Sequence, residues 1–354
     1  MKKLSTKIVT VAFILIISTV SNFSLLAQFG GGNGTENNPY QIKTRQHLEE
    51  LADSVENSPS NNSATHYNWS RNKYFIVTQN ITDTVRTVIG KNNTNAYKYF
   101  QGNFDGGGHK IILGIIYMQI SVGLFGNIYN ETNKADTISI SNVITEGYVK
   151  GNERVGGIVG SENGSFIKII NCINNCDVTS FSDNSLYVGG IAGAIANNCN
   201  IENCINNGKI SGYTLTSGIG AIYSSTVENC INNGVIEGIR EYSNYVGGIA
   251  SEVYNSKVIS CLNIGTIKGN DYVGGISAST SVRIEILNCK NHGLVVGNDA
   301  VGGILGRLGM GTVANCINGN VVEGKTKNVG CIVGEKAGGT VINNHYDMQM
   351  CGEE

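Results

Sequence analysis

The sequence predicts an all-β fold, a parallel β-helix (solenoid) with about 28 residues per rung. Two phrases that alternate along the chain carry this expectation. V-G-G-I stands at 155–158, 188–191, 246–249, 273–276 and 301–304, with degenerate forms at Val122, Ser217 and Val329. Between its copies recurs N-C-x-N, once as S-C-L-N. Its cysteines are Cys172, Cys204, Cys230, Cys261, Cys289 and Cys316, separated by 32, 26, 31, 28 and 27 residues. Composition is the third observation: 47 Gly, only 2 Pro, and apolar residues mostly Val and Ile in short runs. Such runs suit strands and are too short for helices.

Each unit holds three apolar pieces, for example "YVGGIAS", "SKVISCLN" and "GTIKG". Three strands per period describe one coil. Equivalent strands then stack about 4.8 Å apart, so eight rungs span about 38 Å. The variable spacing falls in the loop before V-G-G, where insertions cost little. Equal positions of successive coils stand above one another, so the six cysteines form one interior column of small groups. The residue after Cys is Ile, Leu or Lys290, which turns that column outward. The Asn two after Cys (Asn174, Asn206, Asn232, Asn263, Asn291, Asn318) forms an inward or turn column. Its amides can bond to the coils above and below.

Stacking also bears on the thiols. Parallel stacking holds Cβ atoms about 5 Å apart, whereas a disulfide wants about 3.5–4.5 Å. The column is therefore expected to be free and buried. Cys176, Cys199, Cys331 and Cys351 lie off it, which leaves one or two bridges open. No C-x2-C pair and no paired His suggests a metal site, and no cofactor motif is present.

A net charge of −2 with 15% charged residues gives no polyelectrolyte field for nucleic acid. "MKKLSTK" followed by "IVTVAFILIISTV" and "SLLA" reads as an export signal at 1–27, with cleavage after Ala27. No later stretch is apolar enough to span a membrane. Residues 28–72 read as an N-terminal cap. It contains one short helix, in which Leu48, Leu51, Ala52 and Val55 fall at helical spacing. The β-helix then runs over 73–354.

"GNGTENNPYQIKTRQHLEELAD", "YFIVTQNITD", "FQGNFDGGGHKI" and "VGLFG" resemble the start of GLUG-motif repeat proteins, and "NNHYDMQMCG" resembles their ending. The motif, Gly-Leu/Ile-uncharged-Gly, is matched at 123–126, 157–160, 190–193 and 303–306. The resemblance implies an exported, right-handed parallel β-helix of Bacteroidetes type, adhesin-like or of unknown role. Ser251, Ala278 and Cys331 depart from the motif, and local irregularity is expected at those rungs. The same repeats accompany some IgA-cleaving metallopeptidases. Their His-Glu-x-x-His motif is absent here, since His47, His66, His109, His292 and His345 are isolated, so that activity does not carry over.

Candidate chemistry is sparse. Asp271 and Asp299 occupy equal places in "GNDYVGG" and "GNDAVGG", and Asp105 precedes His109 in "FDGGGH"; both patterns read as turns rather than catalytic pairs. The residue before V-G-G is Arg154, Tyr187, Tyr245, Tyr272, Ala300 or Asn328. Facing solvent, Tyr187, Tyr245 and Tyr272 would form a partial aromatic stripe able to stack on sugar rings. Packing across rungs would also account for them. The expected function is a non-enzymatic, adhesin-like β-helix at a bacterial cell surface or in the extracellular or periplasmic space. It would bind a glycan or a host or bacterial surface protein. The alternatives are a polysaccharide-active lyase or hydrolase and a purely structural stalk.

Overall fold

A computed structural model describes residues 29–58, 69–93, 96–118, 120–130, 137–181, 186–239, 244–326 and 328–350. The expected signal at 1–27 and Cys351 lie outside these residues. The chain forms a parallel β-solenoid of about nine turns with about 29 residues per turn. Four long sheets run along it. The first face stacks eleven strands, from Tyr40–Ile42 and Tyr74–Val77 through Ile138–Ser141 to Thr340–Ile342. The second begins with long strands such as Ile144–Gly151 and Ile173–Ser180. The third and fourth stack eight strands each, typified by Tyr187–Gly189 and Ala192–Ile195.

The expected three strands per coil are thus too few, because two of the three pieces bend. "SKVISCLN" becomes Lys257–Ile259 on the first face and Leu262–Asn263 on the second. The bend is the residue before the cysteine. Asn171, Asn203, Asn229, Ser260, Asn288 and Asn315 all have φ of 53–56°. Asn tolerates this left-handed conformation better than most L-residues, which explains the first letter of the phrase. V-G-G-I bends likewise, since a Cβ on Gly189 would lie 2.0 Å from the Ala192 carbonyl oxygen. From residue 205 the second face also breaks, into Ile205–Asn206 and Ile210–Gly212, so later coils carry five strands.

The Asn two after Cys builds the interior. Asn174 Nδ2 donates to Asn206 Oδ1 at 2.8 Å, and the same bond runs on through Asn232, Asn263, Asn291 and Asn318 at 2.7–2.8 Å. The second N–H of each amide donates to the carbonyl two residues ahead, as Asn232 does to Gly234 at 2.9 Å. Thr145 Oγ1 starts the ladder by donating to Asn174 Oδ1 at 3.0 Å. All six amides are buried, and burying them without partners would be costly.

The second Gly of V-G-G sits on this ladder. A Cβ on Gly157 would lie 2.1 Å from Asn174 Oδ1, and one on Gly248 would lie 2.6 Å from Asn263 Cγ. The two phrases therefore alternate because each coil brings one against the other.

The six column cysteines are free and buried as expected, and so are Cys176 and Cys199. Cys331 is disulfide-bonded. Burial pushes the Cys204 and Cys261 thiols up, and Cys176 to about 12, so they stay protonated. Ile173, Ile205, Ile231, Leu262, Lys290 and Ile317 face outward in register, again as expected.

Helix α1 (Arg45–Glu56) is capped by Thr44, whose hydroxyl accepts from His47 N at 3.3 Å. It buries Leu48, Leu51, Ala52 and Val55 and packs on the strand Ile81–Val85. Beneath it the first coils are filled by aromatic rings, with Phe75–Phe100 at 5.7 Å and Phe100–Phe125 at 4.9 Å. No helix among the described residues is long and apolar enough to cross a membrane.

The expected irregular rungs are corrected in part by the register. Ala278 and Cys331 lie in coils that keep step: Ala250 pairs Ser277 and Leu305 pairs Val333. A break does fall at the strand of Ser251, where Ala250–Val253 faces Gly220–Ile222, which has one residue fewer. The degenerate S-G-I-G rung is short by one, and a missing residue disturbs a ladder more than a Ser or Ala in place of Gly.

Asn232→Ala would strip partners from Asn206 Nδ2, Asn263 Oδ1 and the Gly234 carbonyl. It should lower unfolding free energy by about 3–5 kcal/mol, against about 1 kcal/mol for Cys230→Ala. Denaturant titration of both variants measures this, and equal losses would contradict a structural amide ladder.

Candidate functional site

The tyrosine column lies on the outer side of the third face, and the structure divides it. Leu215 pairs with Tyr187 on one side and Tyr245 on the other, so no unbroken stripe runs from Tyr187 to Tyr272. Leu215 belongs to the short, degenerate rung, where the expected column had a gap. Tyr245 and Tyr272 do meet: their rings stack with centroids 4.8 Å apart at 11°. Arg307 Cζ stands 5.8 Å from the Tyr272 ring and Arg307 Nε 3.3 Å from Glu335 Oε1. Tyr272 has φ 51°, unusual for a bulky side chain, yet Ala300 in the next coil has φ 47°. The conformation recurs at the equivalent place of two coils with different side chains, so it belongs to the backbone there and not to the aromatic ring.

Tyr187 instead joins a cluster shared with the fourth face. Its ring lies 6.0 Å from that of Tyr223 at 84°, and the two hydroxyls are 3.3 Å apart. Tyr223 Oη is also 2.5 Å from Glu252 Oε2 and its ring is 6.4 Å from Tyr254. Burial, then the bond to Glu252, pushes the Tyr223 phenol well up, so it remains a hydroxyl. Arg154 Cζ stands 6.0 Å from the Tyr187 ring, within cation–π reach.

Between these groups lies a cavity of about 260 Å3, lined by Arg154, Glu162, Tyr187, Ala194, Ala196 and Tyr223 among others. Glu162 is its most unusual member. Val159–Gly164 places it directly after Ser161, which pairs with Ala194, while the next residue there, Ile195, pairs with Ile222 and Val253 follows. Its neighbours in the column are aliphatic and buried, Ile128 in the coil before and Ile195, Ile222 and Val253 in the coils after. Glu162 is only 6% exposed. Its Oε1 accepts from Ala196 N, and its Oε2 is buried beside the Cys199 thiol. Burial, against the Ala196 bond, pushes its carboxyl up to about 8, so it is largely neutral at pH 7.

The remaining sequence candidates, expected in turns, stand at strand ends: Asp271 and Asp299 open strands and Asp105 closes one. Asp271 and Asp299 pair across adjacent coils. The Thr326 hydroxyl on Asp299 Oδ1, joined by Asn328 Nδ2 at 3.0 Å, holds its carboxylate below the usual range. Asp105 Oδ1 accepts from Gly107 N and from Asn142 Nδ2. A second cavity of about 480 Å3 over the early coils of the first face includes Tyr74, Asn103, Asp105 and Ser139. Its Asn103 Oδ1 is already taken by Ser139 N at 2.9 Å. No group of three or more His, Cys, Asp or Glu among the described residues could hold a metal ion.

Sequence reasoning missed Glu162, Tyr223 and Glu252. Glu162 was visible as a carboxylate at a place filled by Ile, Ile and Val in the following coils. Tyr223 was hidden, because the missing residue in its rung shifts it against the repeat.

No family model matches the chain, and no curated protein matches it in sequence. Among solved structures, the chain is similar to a crystal structure from Bacteroides ovatus provisionally assigned as an immunoglobulin A1 protease. Identity is 18% and the TM-score 0.54, over 91% of this chain and 87% of that one. At that identity the likeness extends to the fold alone.

The Glu162 carboxyl has a pKa raised from 4.5 in the unfolded chain to about 8 when folded. The folded state then binds more protons than the unfolded one, so stability falls as pH rises across this interval. Glu162→Gln should match the parent at about pH 5 and exceed it by a few kcal/mol at about pH 9. Melting curves across that range measure the effect, and parallel profiles for the two proteins would refute it.

Proposed function

We propose that this protein is an exported, non-enzymatic β-helix of GLUG-repeat type that binds glycan in an adhesin-like role at a bacterial cell surface. One observation carries the reading. Two tyrosine clusters, Tyr187/Tyr223 and Tyr245/Tyr272, lie along the same side of the solenoid, each flanked by an arginine. Half-exposed tyrosine faces suit the C–H faces of sugar rings, and a rigid rod repeats the contact along a polymer. The assignment of the Bacteroides ovatus structure as a protease does not transfer, because this sequence has no His-Glu-x-x-His motif.

The enzyme alternative finds its best support in Glu162, a carboxyl raised toward the range of a general acid. Glycoside hydrolysis ordinarily needs a second carboxylate across the scissile bond. Glu252 is instead bonded to Tyr223 and does not line the cavity. Binding is therefore the better account of these residues.

A glycan array with host and bacterial polysaccharides tests it. Selective binding is expected, with a loss of about tenfold or more in the Tyr245→Ala/Tyr272→Ala variant. Binding that survives both that change and Tyr187→Ala would remove the site. Release of reducing ends would favour the enzyme, and no glycan binding at all would sink the proposal.

A further inference from the structure

The two tyrosine clusters differ in charge, and the difference speaks to the ligand. Arg307, beside Tyr272, is already paired with Glu335. Arg154, beside Tyr187, has no ion pair among the described residues. We infer that the cavity between Arg154 and Glu162 seats one sugar ring bearing a carboxylate, the acidic unit of an acidic glycan. This rests on the glycan-binding reading above and adds the chemical class of sugar.

Size and walls come first. At about 260 Å3 the cavity is smaller than most drug-sized pockets, which favours a single ring over a length of chain. Tyr187 and Tyr223 meet at 84°, giving two aromatic surfaces at right angles, and Ala194 and Ala196 keep the remaining wall low. Such a corner suits a sugar ring's C–H face and edge.

The polar groups decide the class. Arg154 presents a planar fork that takes a carboxylate through two parallel N–H bonds. Glu162 would oppose an anion if ionised, but it is buried between aliphatic neighbours, Ile128 and Ile195, and keeps its proton at neutral pH. Its Oε2 is shut off from solvent beside the Cys199 thiol, so Glu162 lines the cavity as a neutral wall. Cys199, beside Glu162, is likewise held protonated by burial. The Glu252 carboxylate accepts from Tyr223 and does not line the cavity. The lining thus offers one cation and the hydroxyl edges of two tyrosines, without an opposing ionised carboxylate, and that set suits an acidic ring.

The test uses matched probes, oligogalacturonate and sialyllactose, each beside its carboxyl methyl ester, titrated into the protein calorimetrically. One of the acids should bind at least about tenfold more tightly than its ester, and Arg154→Gln should erase that preference. Which acid binds distinguishes a uronate from a sialate source. In the parent protein the preference should fall as pH rises through about 8, where Glu162 ionises. That readout holds whether or not the Arg154 variant folds, and Glu162→Gln should flatten it. Equal binding of acid and ester would overturn the inference while leaving glycan binding intact. So would failure of all four probes when other glycans bind on the array. Failure of every glycan would remove the underlying reading as well.

Discussion

A single file of buried asparagine amides sets the terms for the rest of this solenoid. Each amide before the last donates once to the next coil and once to its own backbone. An interior amide that lost either partner would have no water to replace it. The ladder therefore locks the register of one coil to the next. A slip of one residue would turn every amide to the outside and every outward Ile to the inside. The other repeating letters follow from it. Glycine is needed where the V-G-G backbone crosses the amide, and an asparagine in left-handed conformation turns the chain onto the ladder. Cysteine, small and weakly polar, fills the corner between them, its Sγ within 3.3 Å of the carbonyl two residues back.

Because the interior is so tightly specified, variation is confined to the outer columns and to the turns before V-G-G. The strands on either side of that turn end at Ser180 and begin at Tyr187 in one coil, but end at Gly212 and begin at Leu215 in the next. The candidate site gathers around this irregular stretch. Its members are the residues by which coils differ: Arg154 and Tyr187 before V-G-G, Glu162 in place of an aliphatic, and Tyr223 displaced by a one-residue deletion. A regular rod offers repeated flat surfaces; a cavity appears where the regularity fails.

Much of the fold was legible in the sequence because stacking converts a period into a position. The column cysteines could be placed from spacing and the outward Ile from the Lys290 among them, whereas the Asn two after Cys was open between an inward and a turn column. The five-strand coil could not, because the bends depend on backbone dihedrals at Asn203 or Gly189 that apolar runs do not reveal. The site was only half legible. Tyr245 and Tyr272 were correctly placed side by side, but Tyr187 was aligned with them across a rung whose Leu215 had been passed over. Its true neighbour, Tyr223, comes from another face, and no repeat count connects the two.

Hydrogen exchange of side-chain amides would test the ladder most directly. In selectively labelled protein, the Nδ2 protons of Asn206, Asn232 and Asn263 should exchange as slowly as backbone amides of the core strands. The exposed Asn207 and Asn233 amides, bonded to one another at 2.8 Å on the surface, should exchange far faster. Exchange of the interior amides at the surface rate would contradict this, because a ladder that opens so readily cannot be what holds the coils in register.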